Sequence, residues 1–298
     1  MKIGLQLRQA MFLNGVLYNS EVWHSLTKED IHKLETIDHQ IMRAICDAHS
    51  KTPVEFLYLE TSEKPLNYFI SIRRLMYLHQ ILQKEENELV KRVYKAQNEN
   101  PTKGDFSELV KGDMEIIGQN YDEDIISKYS KSQFKAFIHK KINEESFKHL
   151  KSLQIKHTKT KNIIYNEYKI QPYISDSRLS NKMKSVLFAM RSSMTRGIRK
   201  NFSSMYHGET TCPIPDCENP TEDDQRHLLN CSPIQQQLSQ SEQFKLSLLK
   251  YDDIFGTLEK QRAATKILSR ILEIREEILQ DYSLPVDSHT GPRISTTV

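Results

Sequence analysis

Residues 27–45 read TKEDIHKLETIDHQIMRAI, and this stretch decides the fold class. Ile31, Leu34, Ile37, Ile41, Met42 and Ile45 recur at three- and four-residue intervals, so they fall on one side of a helix and would alternate across both faces of a strand. Thr27 is placed to cap the first turn, and Glu29 and Asp30 sit where the helix dipole favours negative charge. The same logic extends outward. Ile3, Leu7, Met11 and Leu17 have roughly helical spacing upstream. Downstream, Pro53 opens a short helix through Phe56, Leu57 and Leu59. Pro65 precedes NYFISIRRLMYLHQIL, a strongly apolar helix with Arg73 and Arg74 on one side.

The rest of the chain is consistent with a mainly α protein. Glycine (9) and proline (10) are scarce among 298 residues, which disfavours a turn-rich β architecture. Asn98, Asn100, Pro101 and Gly104 mark a loop, followed by two short helices. Residues 254–279 form a second clear amphipathic pattern through Ile267, Leu268, Ile271, Leu272, Ile274 and Ile278, and 283–298 read as a disordered tail. No run approaches the roughly 20 apolar residues that span a bilayer. Gln6, Arg8, Gln9 and Asn14 interrupt the only N-terminal stretch that could imitate a signal peptide. The expected location is intracellular, in the nucleus and/or cytoplasm, with no secretion and no membrane partner.

Three of the four cysteines cluster with a histidine as C-x4-C-x9-H-x3-C: Cys212, Cys217, His227 and Cys231. In a reducing compartment this spacing points to metal rather than disulfides. Three thiolates and an imidazole suit one tetrahedral zinc ion, and with four protein ligands no position remains open for catalysis. The expectation is therefore one structural Zn2+ in a knuckle. Cys46, beside Ala44 and Ile45, reads as a small buried side chain.

Charge is unevenly distributed although the net value is only +3. Residues 131–170 contain ten lysines and no arginine against Glu144, Glu145 and Glu167, a net charge of +7. Phe134, Phe137, Phe147, Tyr165 and Tyr168 alternate with those lysines. Residues 177–208 contain no acid at all, and lead directly into the cysteine cluster. Cations on phosphates and aromatics under unpaired bases would give sequence-tolerant nucleic-acid binding. The candidate contacts are Lys140, Lys141, Lys182, Lys184, Arg191, Arg196, Arg199, Lys200, Phe202 and Tyr206. The competing reading is that the lysines only solvate the surface.

No catalytic constellation emerges. A polymerase palm needs adjacent aspartates on a turn between apolar strands. The nearest strings, YDED at 121–124 and YDD at 251–253, lack that setting and read as helix starts. No phosphate-binding loop, nucleophile elbow or dinucleotide fingerprint is found.

Several blocks together resemble a known family. VLYNSEVWHSLTKEDIHKLETIDHQIMRAI, AHSKTPVEFLYLET, PLNYFISIRRLMYLHQIL and NFSSMY before the knuckle resemble the C-terminal portion of LINE-type (non-LTR) retrotransposon reverse transcriptases, over about residues 12–280. The resemblance implies a helical thumb and linker, a Cys-Cys-His-Cys knuckle formed by the four residues above, and Arg73, Arg74 and the basic linker facing nucleic acid. It divides the chain into a thumb-like region (1–97), a basic linker (105–205), the knuckle (206–235), a C-terminal helical segment (236–282) and the tail. Fingers, palm and endonuclease sequences are absent from these residues. The resemblance thus implies a non-catalytic fragment that grips template RNA or target DNA beside a polymerase domain of the complete element. The alternative is a helical interaction or scaffold module, or a nonfunctional remnant, with a structural zinc.

Overall fold

In the computed structural model, which describes residues 1–23, 26–218 and 220–281, Thr27 and Asp30 cap one another. The Asp30 amide donates to Thr27 Oγ1 at 3.1 Å, and the Thr27 hydroxyl donates to Asp30 Oδ2 at 2.6 Å. The helix they start runs Lys28–Cys46. The fold is mainly helical, and among the described residues the only β pairing is one isolated bridge, Thr211 to Glu222. The chain divides into two compact units, the first of residues 2–45 and 53–171, the second of Met1, residues 46–52 and 172 onward. The break at 171/172 falls inside the stretch 105–205 that the sequence groups as one linker.

The first unit contains α1 (Lys2–Leu7), a π-helical segment (Arg8–Leu13), α2 (Asn14–Val16), a 3-10 turn (Ser20–Val22) and α3 (Lys28–Cys46). It continues with α4 (Val54–Thr61), α5 (Leu66–Leu82), α6 (Leu89–Glu99), α7 (Phe106–Ile116), α8 (Glu123–Lys128) and α9 (Lys131–Gln154). Helix α5 is its centre, packed on α7, α8 and α9 through Leu75, Leu78, Val110, Ile138 and Ile142, all buried. Each such aliphatic side chain contributes roughly 1.5–3 kcal/mol by leaving water.

Two expectations are corrected here. Ile3, Leu7 and Met11 are exposed, and the inward side of the N-terminal helix carries Leu5, Arg8, Leu13 and, just after it, Leu17. A π turn advances by more than 3.6 residues, so the periodic reading selects the wrong face. The aromatics among the 131–170 lysines are largely structural. Phe134 is buried in the α5–α9 core, Tyr165 is buried and donates to Glu60 at 2.6 Å, and Tyr168 donates to the Glu63 carbonyl.

The second unit contains α10 (Pro172–Ser175), α11 (Asn181–Arg191), a 3-10 turn (Arg199–Phe202), α12 (Gln225–Asn230) and α13 (Ser232–Gln236). After α14 (Gln240–Ser247) and a 3-10 turn (Tyr251–Phe255) comes α15 (Leu258–Asp281). Helix α15 is the spine: α10, α11, α13, α14 and the 251–255 turn all pack on it. Its Ile267, Leu268, Ile271, Ile274 and Ile278 are buried, as the periodicity predicts. Cys46 is fully buried. The tail expected at 283–298 lies outside the described residues. Among the described residues, no helix is long and apolar enough to cross a membrane.

Candidate metal centre

The four sequence-predicted ligands converge in the second unit, with all ligand atoms within 4.8 Å of one another. Local structure explains how. The Cys212 amide donates to the Thr221 carbonyl at 3.1 Å, next to the Thr211–Glu222 bridge, so Cys212 sits at the base of a short hairpin. Asp216 takes a positive φ of 58°, turning the chain back to present Cys217. Asp224 caps α12 by accepting from the Arg226 and His227 amides at 2.9 and 2.8 Å. That cap orients the turn carrying His227, and Cys231 follows at its end, one helical turn later. Ile214, Leu228 and Leu229, which alternate with the ligands along the chain, are all buried.

Cys212 Sγ and Cys231 Sγ lie 4.0 Å apart, Cys231 Sγ and Cys217 Sγ 3.9 Å, and Cys217 Sγ and His227 Nε2 3.6 Å. Metal bonds of about 2.3 Å to sulfur and 2.0–2.1 Å to nitrogen, arranged tetrahedrally, place sulfurs about 3.8 Å apart and sulfur and nitrogen about 3.6 Å apart. The donors therefore fit one tetrahedral ion. Their electrostatics also favours a cation. A hydrogen bond from Cys231 holds the Cys212 thiol down at about 4, and the same bond, together with burial and the other sulfurs, pushes Cys231 well up. Three thiols this close do not ionise together unless a positive charge joins them.

The sequence reading missed the second layer of contacts. Thr221 Oγ1 lies 3.0 Å from His227 Nδ1, so it can fix the ring with Nε2 turned to the sulfurs. The buried Asp223 carboxylate accepts from the Arg199 amide at 2.7 Å and from Arg275 of α15 at 2.7 Å, tying the loop to the spine of its unit. Asp224, three residues before His227, carries a legible capping signal; Thr221, Asp223 and Arg275 carry none.

The proposed nucleic-acid contacts fare differently. Lys184, Arg191 and Phe202 are buried, which leaves no room for a phosphate or base against them. Arg191 donates to the Ile254 carbonyl at 3.0 Å and lies over the Tyr173 and Phe255 rings, and Phe202 packs on His49. Most of the remaining cations are matched by carboxylates. Arg74 pairs with Asp113 at 2.9 Å, Lys182 with Glu273 at 2.7 Å, Arg196 with Asp47 at 3.7 Å, and Arg199 with Glu209 at 2.8 Å while covering Tyr206. Lys200 pairs with Glu222 and Asp224, and Lys141 with Glu144 at 3.6 Å. Arg73 donates to the Leu17 carbonyl at 2.8 Å. Lys140, by contrast, is exposed on α9 and makes no ion pair among the described residues, and the same holds for Lys131 and Lys135 and for Lys156 and Lys161 beyond the helix end. The acid-free window at 177–208 finds its acids at distant positions, whereas α9 retains a cationic surface.

The strings weighed as polymerase-like both sit at helix starts. Asp122 caps α8 through the Ile125 amide, and Asp253 accepts from the Lys250 amide and from Lys260. No model of a known protein family, no curated protein and no solved structure matches this chain.

Proposed function

We propose that this chain is a zinc-stabilised, non-catalytic nucleic-acid-binding region, and that its origin is the C-terminal part of a non-LTR retrotransposon reverse transcriptase. The observation that carries the metal half is the tetrahedral spacing of Cys212, Cys217, His227 and Cys231. Three thiols and an imidazole are a zinc donor set, and four protein ligands make the ion structural. Zinc there would hold the 210–231 loop closed, and its charge would keep all three thiolates ionised.

The nucleic-acid half rests on α9 and the turn after it, where Lys131, Lys135, Lys140, Lys156 and Lys161 are exposed without carboxylate partners among the described residues. Phosphate neutralisation by such a surface releases counterions, so affinity for RNA or DNA should fall steeply with salt. A partner domain is supported by Ile3, Leu7 and Met11, an exposed apolar stripe on the N-terminal helix suited to cover by another domain such as a polymerase. The resemblance stated from the sequence blocks supplies the retroelement origin.

A second reading, a helical scaffold with solvating lysines, is favoured by the pairing of most cations at 182–206 with acids. Titrating zinc-loaded protein with a labelled structured RNA across a salt series separates the two. A steep negative slope of log affinity against log salt is expected. Absence of binding at low salt by a folded, metal-containing chain would establish the scaffold reading.

A further inference from the structure

The first unit holds a cavity of about 370 Å³ that the metal centre and the α9 surface do not use. Its walls come from the π-helical segment, the loop between α4 and α5, one side of α5, and α9. Lys64, Arg73 and His139 line it, and its one carboxylate, Glu63, is already bound by Arg8 at 2.7 Å. Arg8 also grips both oxygens of the buried Asp38, at 2.6 and 2.7 Å, and Asp38 receives the Tyr58 hydroxyl at 2.8 Å. Arg8 hydrogen-bonds both carboxylates but carries a single positive charge, so Lys64, which Glu63 attracts, offsets the other, and Arg73 leaves the cluster with net positive charge at the cavity wall. Arg73 gives one N–H to the Leu17 carbonyl and one to Asn14, which holds the guanidinium in place and leaves other N–H groups to donate. Phe69, Ile72 and Leu13 form an apolar wall, with Lys64 lying over the Phe69 ring.

We propose that this cavity is a binding site for a phosphate monoester carried on a flat or apolar body, the chemistry of a nucleoside monophosphate. The phosphate would take charge-assisted hydrogen bonds from Lys64, Arg73 and His139, and the body would lie against Phe69, Ile72 and Leu13. The volume falls in the range of small-ligand sites and leaves space beyond a bare phosphate. Burial draws Lys64 below its ordinary value against the opposing pull of Glu63, and His139 is drawn down by burial, then by Lys64 and Lys135. An anion between them would relieve both. The site belongs to the first unit and stands whether or not the metal centre and the lysine surface act as proposed above.

The test follows the His139 ring resonances in the full chain during titration with adenosine monophosphate, inorganic phosphate, adenosine, and an oligonucleotide with or without a 5′ phosphate. Saturable shifts with adenosine monophosphate and not with adenosine are expected; Lys64→Gln should weaken binding about tenfold by the same resonances, and His139→Gln about tenfold by calorimetric titration with adenosine monophosphate, while the circular dichroism of either free chain is unchanged. If the 5′-phosphorylated oligonucleotide shifts His139 and its unphosphorylated form does not, a strand end is the source of the same phosphate group. Lack of any shift with the phosphorylated probes, or equal binding by folded Lys64→Gln, overturns the proposal.

Discussion

Thr221 shows what a single hydroxyl can do beside a candidate metal centre. Its oxygen, 3.0 Å from His227 Nδ1, is the only contact orienting that ring from behind among those described. Thr221→Val should therefore weaken zinc about 10–100-fold with little change in fold, measured by competition with a chromogenic chelator; unchanged affinity would dismiss the contact. Arg275 acts through charge. It is buried with Asp223, so Arg275→Leu strands a carboxylate that burial already pushes upward and should cost about 3–5 kcal/mol in denaturant unfolding. Asp105 provides a pH signature. Burial would raise it, but bonds from the Thr102 and Glu108 amides and from hydroxyls overcome this and hold it at about 2. Because the folded value is depressed, its contribution is present above the unfolded carboxylate value near 3.9 and is lost as pH falls toward about 2. Asp105→Ala should flatten that part of the acid limb, and an unchanged limb would contradict it. The pairing of Asp223 with Arg275 is not visible in sequence, since it depends on the completed fold, whereas the Asp105 carboxylate bonds only to residues within three positions of itself, as a local cap of α7.

Among the helices, legibility followed periodicity. Long apolar stripes marked the faces of α3, α5 and α15, and Thr27, Pro53 and Pro65 marked the starts of α3, α4 and α5. The N-terminal helix was misread because a π segment shifts its register, and because its inner face carries Arg8, an unexpected core residue until Asp38 is seen opposite. Cationic segments were misread for a related reason. Counting charge along the chain cannot reveal that Lys182 meets Glu273, 91 positions away. Helix α9 keeps its unmatched lysines, so a Lys131→Glu, Lys135→Glu, Lys140→Glu triple variant should reduce the salt slope of RNA binding by up to about 3. The same change at Lys182, Arg196 and Lys200 should disturb folding contacts, with a smaller effect on that slope. Equal slopes in the α9 variant and the parent chain would rule out α9 as the phosphate-gripping helix.

At the scale of the whole molecule, the candidate site was more legible than the fold around it. All four ligands were readable because metal chemistry dictates residue type and spacing, and they meet in the structure. The unit boundary near 171/172 was not, because no glycine- or proline-rich linker separates the units; the division follows packing on α5 and on α15. The central claim is that a structural zinc closes the 210–231 loop. The most direct measurement is the metal content of the reduced, purified chain, joined to the absorption spectrum after cobalt replaces zinc. One ion per chain is predicted, with the intense thiolate charge-transfer and d–d bands of a tetrahedral three-sulfur, one-nitrogen site, and with loss of the ion in His227→Ala. A folded chain that binds no zinc under reducing conditions, or gives a cobalt spectrum of octahedral oxygen coordination, would contradict the account.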